Sequence, residues 1–214
     1  MSIAENISLI KEQLPQEVTL IAVSKTKTNE QILEAYNAGQ RDFGENRVQE
    51  LLPKYEALPK DIRWHLIGHL QTNKVKQIAP FVHLIHSVDS EKLLAEINKE
   101  AAKCNRVIPV LLQIFIAQEE TKFGFSFEEA EALLNISTEK YPNIRIEGFM
   151  GMATNTEDED QVRKEFRGLK QFQIRNPKFE ILSMGMSSDW KIAVEEGSTM
   201  IRVGSTIFGE RNYR

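Results

Sequence analysis

The residues best suited to chemistry follow short apolar runs. Lys25 lies one serine beyond the run VTLIAV. A lysine at the end of a buried strand is partly shielded from water, which disfavours its ammonium form. The neutral amine is the species that attacks a carbonyl and forms a Schiff base. The alternative is an ordinary loop lysine, and the neighbouring Lys27 shows that lysine is tolerated here. In DFGENRVQE, Gly44 suits a tight strand-to-helix turn, Glu45 suits capping or pairing, and Asn46 offers both a donor and an acceptor. In WHLIGHLQTNK, His65 and His69 stand four residues apart, but Gly68 ends the apolar run between them, so the imidazoles need not converge. No carboxylate or cysteine set completes a metal site, and none is expected. His65 reads as an interior residue and His69 as a polar group just past a strand.

The segments LSMGMSSDW and IRVGSTIFGER each place glycine and serine directly after an apolar run. Small residues let backbone N–H groups approach an anion, and serine hydroxyls add donors. Ser183, Gly185, Gly204 and Ser205 are therefore candidates for holding a phosphate. Arg202 falls inside the last apolar run and needs a partner, because an unpaired buried charge is costly. Met150 and Met152 read as lining residues, and Phe123, Phe125 and Phe127 as loop packing around Gly124. Cys104, the single cysteine, has no evident partner and can form no internal disulfide.

Positioning these groups requires a repeated unit. Apolar runs near 18–23, 41–43, 63–67, 83–87, 107–116, 144–150, 179–182 and 199–203 read as strands, several continuously apolar as parallel strands are. Amphipathic stretches separate them. Ile3, Ile7 and Ile10 mark a short N-terminal helix. Thr28 with Gln31 and Ser126 with Glu129 are capping boxes, and the acidic run 157–160 opens a helix carrying Val162, Phe166 and Leu169. Eight strands alternating with helices in 214 residues imply an α/β fold, a (β/α)8 TIM-type barrel in one domain spanning 1–214. A doubly wound open sheet is the rival. In a barrel, the ends of the strands and the last two loops are where ligand groups gather.

The hydrophobic share of 41% supports a substantial core. A formal charge of −4 and a pI near 5.7 give no general attraction to nucleic acid or to an anionic membrane. The N-terminus is not a secretory signal, and no run approaches the roughly 20 apolar residues that span a bilayer. A cytoplasmic setting is expected.

Taken together, AVSKTK, FGEN, WHLIGHLQTNK, SVDS, LSMGMSSD and RVGSTIFGER resemble the pyridoxal phosphate homeostasis protein family, from about Ile21 to Tyr213. The resemblance implies a barrel like the N-terminal domain of alanine racemase. It further implies that pyridoxal 5'-phosphate binds as a Schiff base on Lys25, with Ser183, Gly204 and Ser205 at its phosphate. Arg202 would face the pyridine nitrogen, keeping it unprotonated and weakening the ring as an electron sink. Asn46 resembles a residue near the ring. The chain departs from the pattern in QIFIAQEETKFGF, where Phe115 and Ile116 make the rim more apolar, and at Gly151, where relatives often carry threonine.

Two functions compete: a carrier that buffers the cofactor and supplies apo-enzymes, and a fold-type III amino-acid racemase. Racemisation needs an acid/base group on each face of the substrate, which alanine racemases complete with a tyrosine from an added domain. The chain ends shortly after the eighth run, and Tyr213 is a poor substitute. A non-catalytic, monomeric carrier is expected. A lyase or aldolase acting on a sugar phosphate through Lys25 is a third reading, which the combined motifs disfavour.

Overall fold

The computed structural model describes residues 1–118 and 123–209. Eight parallel strands close into a barrel in the order of the sequence. They are β1 Thr19–Val23, β2 Asp42–Glu45, β3 Arg63–Leu66, β4 Leu84–Val88, β5 Ile108–Gln113, β6 Ile144–Met150, β7 Ile181–Ser183 and β8 Met200–Val203. Pairing of β1 with β8, Ile21 beside Arg202, closes the ring and removes the open-sheet alternative. All eight expected strands are present, with edges moved. The fifth stops at Gln113 instead of 116, since Ile114 leaves the ladder to bridge Phe125.

Gly44 corrects one expectation. It does not form a turn but lies within β2, paired with Val23 on one side and His65 on the other. A Cβ there would come within 3.0 Å of both Ile21 Cγ2 and Ile67 Cδ1, so the bore at this level accommodates no side chain.

The helices are α1 Ile3–Gln13, α2 Asn29–Asn37, α3 Val48–Ala57, α4 Val75–Ile78, α5 Glu91–Lys103, α6 Phe127–Lys140, α7 Glu159–Arg175, α8 Trp190–Glu195 and α9 Ser205–Phe208. Their starts follow local chemistry. Capping boxes form at Ser2/Glu5, Thr28/Gln31 and Ser126/Glu129, each satisfying two otherwise unpaired N–H groups. Asp158 caps α7 by accepting from the Gln161 N–H. Ile7 and Ile10 of α1 are buried, and Asn6 donates to the Ile207 carbonyl, so α1 packs beside α9.

Because strand side chains alternate, each strand has an outward and an inward set. Outward residues such as Ala22, Phe43, Trp64, Ile85, Phe149 and Ile201 meet the helices in one large apolar jacket. The inward apolar set is small: Ile21, Leu84, Leu111, Met150 and Met200. The bore also contains fully or nearly buried polar residues, His65, His86, Ser183 and Arg202. No helix of the described residues is long and apolar enough to cross a membrane.

A candidate cofactor cleft at the barrel mouth

Alternation along β1 carries past its last residue. Ile21, Val23 and Lys25 share a parity, and Val23 and Lys25 both line a cleft of about 510 Å³ at the C-terminal ends of the strands. Lys25 is half-buried. The backbone behind it is held firmly. Thr26 adopts a left-handed conformation, φ 64°, unusual for a β-branched residue, and its N–H donates to Glu50 Oε2 at 2.8 Å.

Beneath that turn, Ser24 donates its hydroxyl to Glu45 Oε1 at 2.5 Å. Lys54 of α3 donates to the same carboxylate oxygen at 2.7 Å and to the Ser24 carbonyl at 2.8 Å. Burial pushes the Glu45 carboxyl up, opposed by the Lys54 charge. Glu45 thus pairs, one of the two roles its sequence position suggested, and fixes the strand end that carries Lys25.

The opposite wall comes from the loops after β7 and β8. Gly204, Ser205 and Thr206 line the cleft, as do Ser187 and Ser188. The Gly204 N–H donates to Ser187 Oγ at 3.1 Å, which joins the two loops. Met186 N–H donates to Asp189 Oδ1 at 2.5 Å and tightens the first. N–H groups in the first turn of a helix lack intrahelical partners, so the start of α9 offers donors beside the serine hydroxyls. Lys27 fastens the other end of α9, donating to the Phe208 carbonyl at 3.2 Å and the Gly209 carbonyl at 3.1 Å.

Arg202 forms the inner wall. It is buried, yet lines the cleft. Its Nη1 donates to Ser183 Oγ at 2.6 Å and its Nη2 to the Gly151 carbonyl at 3.1 Å. Both partners are neutral. Burial therefore lowers the guanidinium to about 10, with Asp189 acting in the opposite direction, and it remains cationic at neutral pH.

The structure brings Lys25, Asn46, Arg202, Gly204 and Ser205 to one cleft. It does not bring Ser183 there. Ser183 is fully buried, and its hydroxyl is engaged by Arg202 and by His86 at 2.9 Å, which leaves it no access to a phosphate. The serines after β7 that reach the cleft are Ser187 and Ser188, four and five residues further along the same motif. Gly185 meets Ala193 and Trp190 rather than the cleft.

His69 is exposed at the mouth, hydrogen-bonded to Asp89 at 2.8 Å and stacked on Phe123. The two departures from the family pattern touch each other. A Cβ on Gly151 would lie 2.7 Å from Ile116 Cδ1 and 2.7 Å from Leu169 Cδ2, so the large side chain at 116 fills the space a side chain at 151 would need. Tyr213 lies outside the described residues. Metal-ligating atoms do converge once among the described residues: Asp42, His65 and His83 offer theirs within 4.8 Å of one another at the opposite end of the barrel. Arg63 covers both Asp42 oxygens there.

The chain matches the alanine racemase N-terminal domain model over residues 1–212. It is 44% identical over 200 residues to the pyridoxal phosphate homeostasis protein of Aquifex aeolicus, covering 91% of this chain and 87% of that one. The chain belongs to the pyridoxal phosphate homeostasis protein family. PipY of Synechococcus elongatus, solved with pyridoxal phosphate bound, superposes on the chain with a TM-score of 0.87 at 38% identity, covering 97% of this chain and all of that one. Alanine racemase from E. faecalis shares the fold at 17% identity and a TM-score of 0.78, with 58% of its length covered.

Proposed function

We propose that the cleft binds pyridoxal 5'-phosphate and that the chain acts as a cytoplasmic, monomeric carrier of the cofactor, with residues 1–214 serving as one barrel domain. One observation carries this reading. A half-buried lysine, a buried arginine with only neutral partners and a glycine–serine anion loop line the same cleft. Its volume, about 510 Å³, falls within the range of about 300–1,000 Å³ usual for cofactor sites.

When bound, the cofactor supplies an aldehyde with which a lysine amine condenses, releasing water. Lys25 provides that amine from a strand end fixed by Ser24, Glu45 and Lys54. Ser205, with Ser187 and Ser188, would hold the phosphate by N–H and hydroxyl donors, and Gly204, lacking a side chain, leaves room for it to approach. Arg202 presents N–H donors to the ring nitrogen and keeps a proton off it, and Asn46 borders the ring.

The same geometry favours holding over turnover. An arginine at the ring nitrogen weakens electron withdrawal. Among the described residues the cleft lining includes no tyrosine, histidine or carboxylate to act as a second acid/base group opposite Lys25. Release to apo-enzymes follows from reversible condensation.

The test is to mix the protein with pyridoxal phosphate, reduce with borohydride and map the modified peptide. Modification at Lys25 is expected. Modification elsewhere, or racemase turnover by the purified protein that Lys25→Ala abolishes, would overturn the reading.

A further inference from the structure

Arg202 is the cleft end of a continuous series of buried hydrogen bonds. Ser183 Oγ, its acceptor, lies 2.9 Å from His86 Nδ1. His86 Nε2 lies 2.9 Å from His65 Nδ1, and His65 Nε2 lies 3.1 Å from Asp42 Oδ1. Arg63 Nε closes the far end, donating to Asp42 Oδ1 at 2.6 Å. The series draws on β8, β7, β4, β3 and β2 and runs from the mouth to the opposite end of the bore, where Asp42 and Arg63 begin their strands.

Asp42 sets its direction. Burial raises the Asp42 carboxyl, but hydrogen bonds from Arg63 and His65 outweigh it and hold the group well below the usual carboxylate range. A carboxylate only accepts, so His65 Nε2 carries a hydrogen. Burial keeps His65 neutral, and its Nδ1 is then an acceptor. His86 Nε2 must therefore donate. Burial, with His65 and Arg202 nearby, keeps His86 neutral as well, so its Nδ1 accepts from the Ser183 hydroxyl. Ser183 is left with its lone pairs toward Arg202. Every member is satisfied, and donors and acceptors alternate without conflict from Arg202 to Asp42. Bonds aligned in one sense polarise one another, which strengthens the Ser183 oxygen as an acceptor.

We propose that Ser183, His86, His65 and Asp42 are positioning residues: a one-way hydrogen-bond relay that aims the Arg202 guanidinium at the ring of the cleft ligand. Identifying that ring as a pyridine rests on the pyridoxal phosphate reading; the relay itself does not. The relay also accounts for a buried cation whose direct hydrogen-bond partners are neutral. Asp42, paired with Arg63 at the far end, fixes the sense of the series.

Two measurements test this. In the ligand-free protein, long-range proton–nitrogen spectra of labelled histidines, assigned by single substitutions, should show neutral Nε2–H forms for both His65 and His86. An Nδ1–H form or a charged ring at either position overturns the relay, whatever the cleft binds. The second measurement is pyridoxal phosphate affinity and visible absorption in variants. His86→Leu should loosen binding about tenfold or more and move the absorption band. His86→Gln, whose amide can accept and donate in the same order, should stay within about threefold of the parent. Asp42→Asn, at the far end of the barrel, should move the band as well. Folded variants that all retain parental affinity and absorption overturn the proposal; if His86→Leu does not fold, the spectra of the unsubstituted protein decide. Absence of pyridoxal phosphate binding with both histidines in the expected form would instead remove the functional reading and leave the relay standing.

Discussion

The same eight strands line two regions that are built on opposite terms. On the jacket side, Phe149 packs edge-on against Phe172 and Phe179, and the residues between sheet and helices are almost uniformly apolar. On the bore side, five apolar residues share the space with two histidines, a serine and an arginine. The jacket stabilises by area removed from water, a non-directional effect. The bore depends on donors and acceptors meeting in order, which is directional and leaves little margin. Stability should therefore reside mainly in the jacket and ligand recognition in the bore, a division that substitutions can break.

The largest effect is expected in the jacket. Phe149→Ala should cost about 3–5 kcal/mol of stability in denaturant unfolding, while the folded fraction binds ligand as the parent does. An equal loss of affinity would blur the division. Lys54→Met should cost about 3 kcal/mol, because Glu45 loses its buried partner. Its effect should also reach the cleft, since the same ammonium holds the Ser24 carbonyl next to Lys25.

Arg202→Leu should behave in the opposite way. Replacing a buried charge by an apolar group of similar bulk should change stability by only about 1 kcal/mol, yet loosen pyridoxal phosphate about tenfold or more in a spectroscopic titration. A large stability loss would mean that the bore also bears on folding.

The smallest effect concerns pH. Burial lowers His65, His83 and His86 relative to the unfolded chain. For a histidine depressed in the folded state, the unfolded chain binds more protons below about pH 6.5. Stability is thus intact above that pH and falls as the pH drops toward the folded values. The slope is at most about 1.4 kcal/mol per pH unit for each group. Unfolding of His86→Gln followed from pH 7 to pH 5 should show a shallower slope, preserving about 2 kcal/mol at most over that range. An unchanged slope would show that His86 does not take part.

The jacket was readable in the sequence because its signals are local. Capping pairs such as Thr28 with Gln31 sit within one turn, and runs such as VTLIAV announce a buried strand without reference to anything distant. The place of Lys25 and Gly204 at the cleft was readable for the same reason, each lying within two residues of the end of its run. Gly44 was misread because glycine before Glu-Asn resembles a turn, while the pairing of β2 with both β1 and β3 keeps it extended. Ser183 was misread because the end of a strand was equated with the mouth; the loop after β7 folds over it, and Ser187 takes the exposed place. The relay was least legible, since its members are spread over five strands between Asp42 and Arg202. One signal did exist. His65 and Arg202 interrupt otherwise apolar runs and His86 and Ser183 fall at the ends of theirs, and the inward parity of each follows from its neighbours.

Four-residue α9 is held at its C-terminal end from two sides, by Asn6 of α1 and by Lys27 of the loop that bears Lys25. The loop that leads into α9 and the loop that bears Lys25 are thereby pinned to a common frame. Neither can swing away without breaking contacts to the other. Among the described residues, parting these two sides of the cleft would mean breaking both bonds from Lys27 to the end of α9.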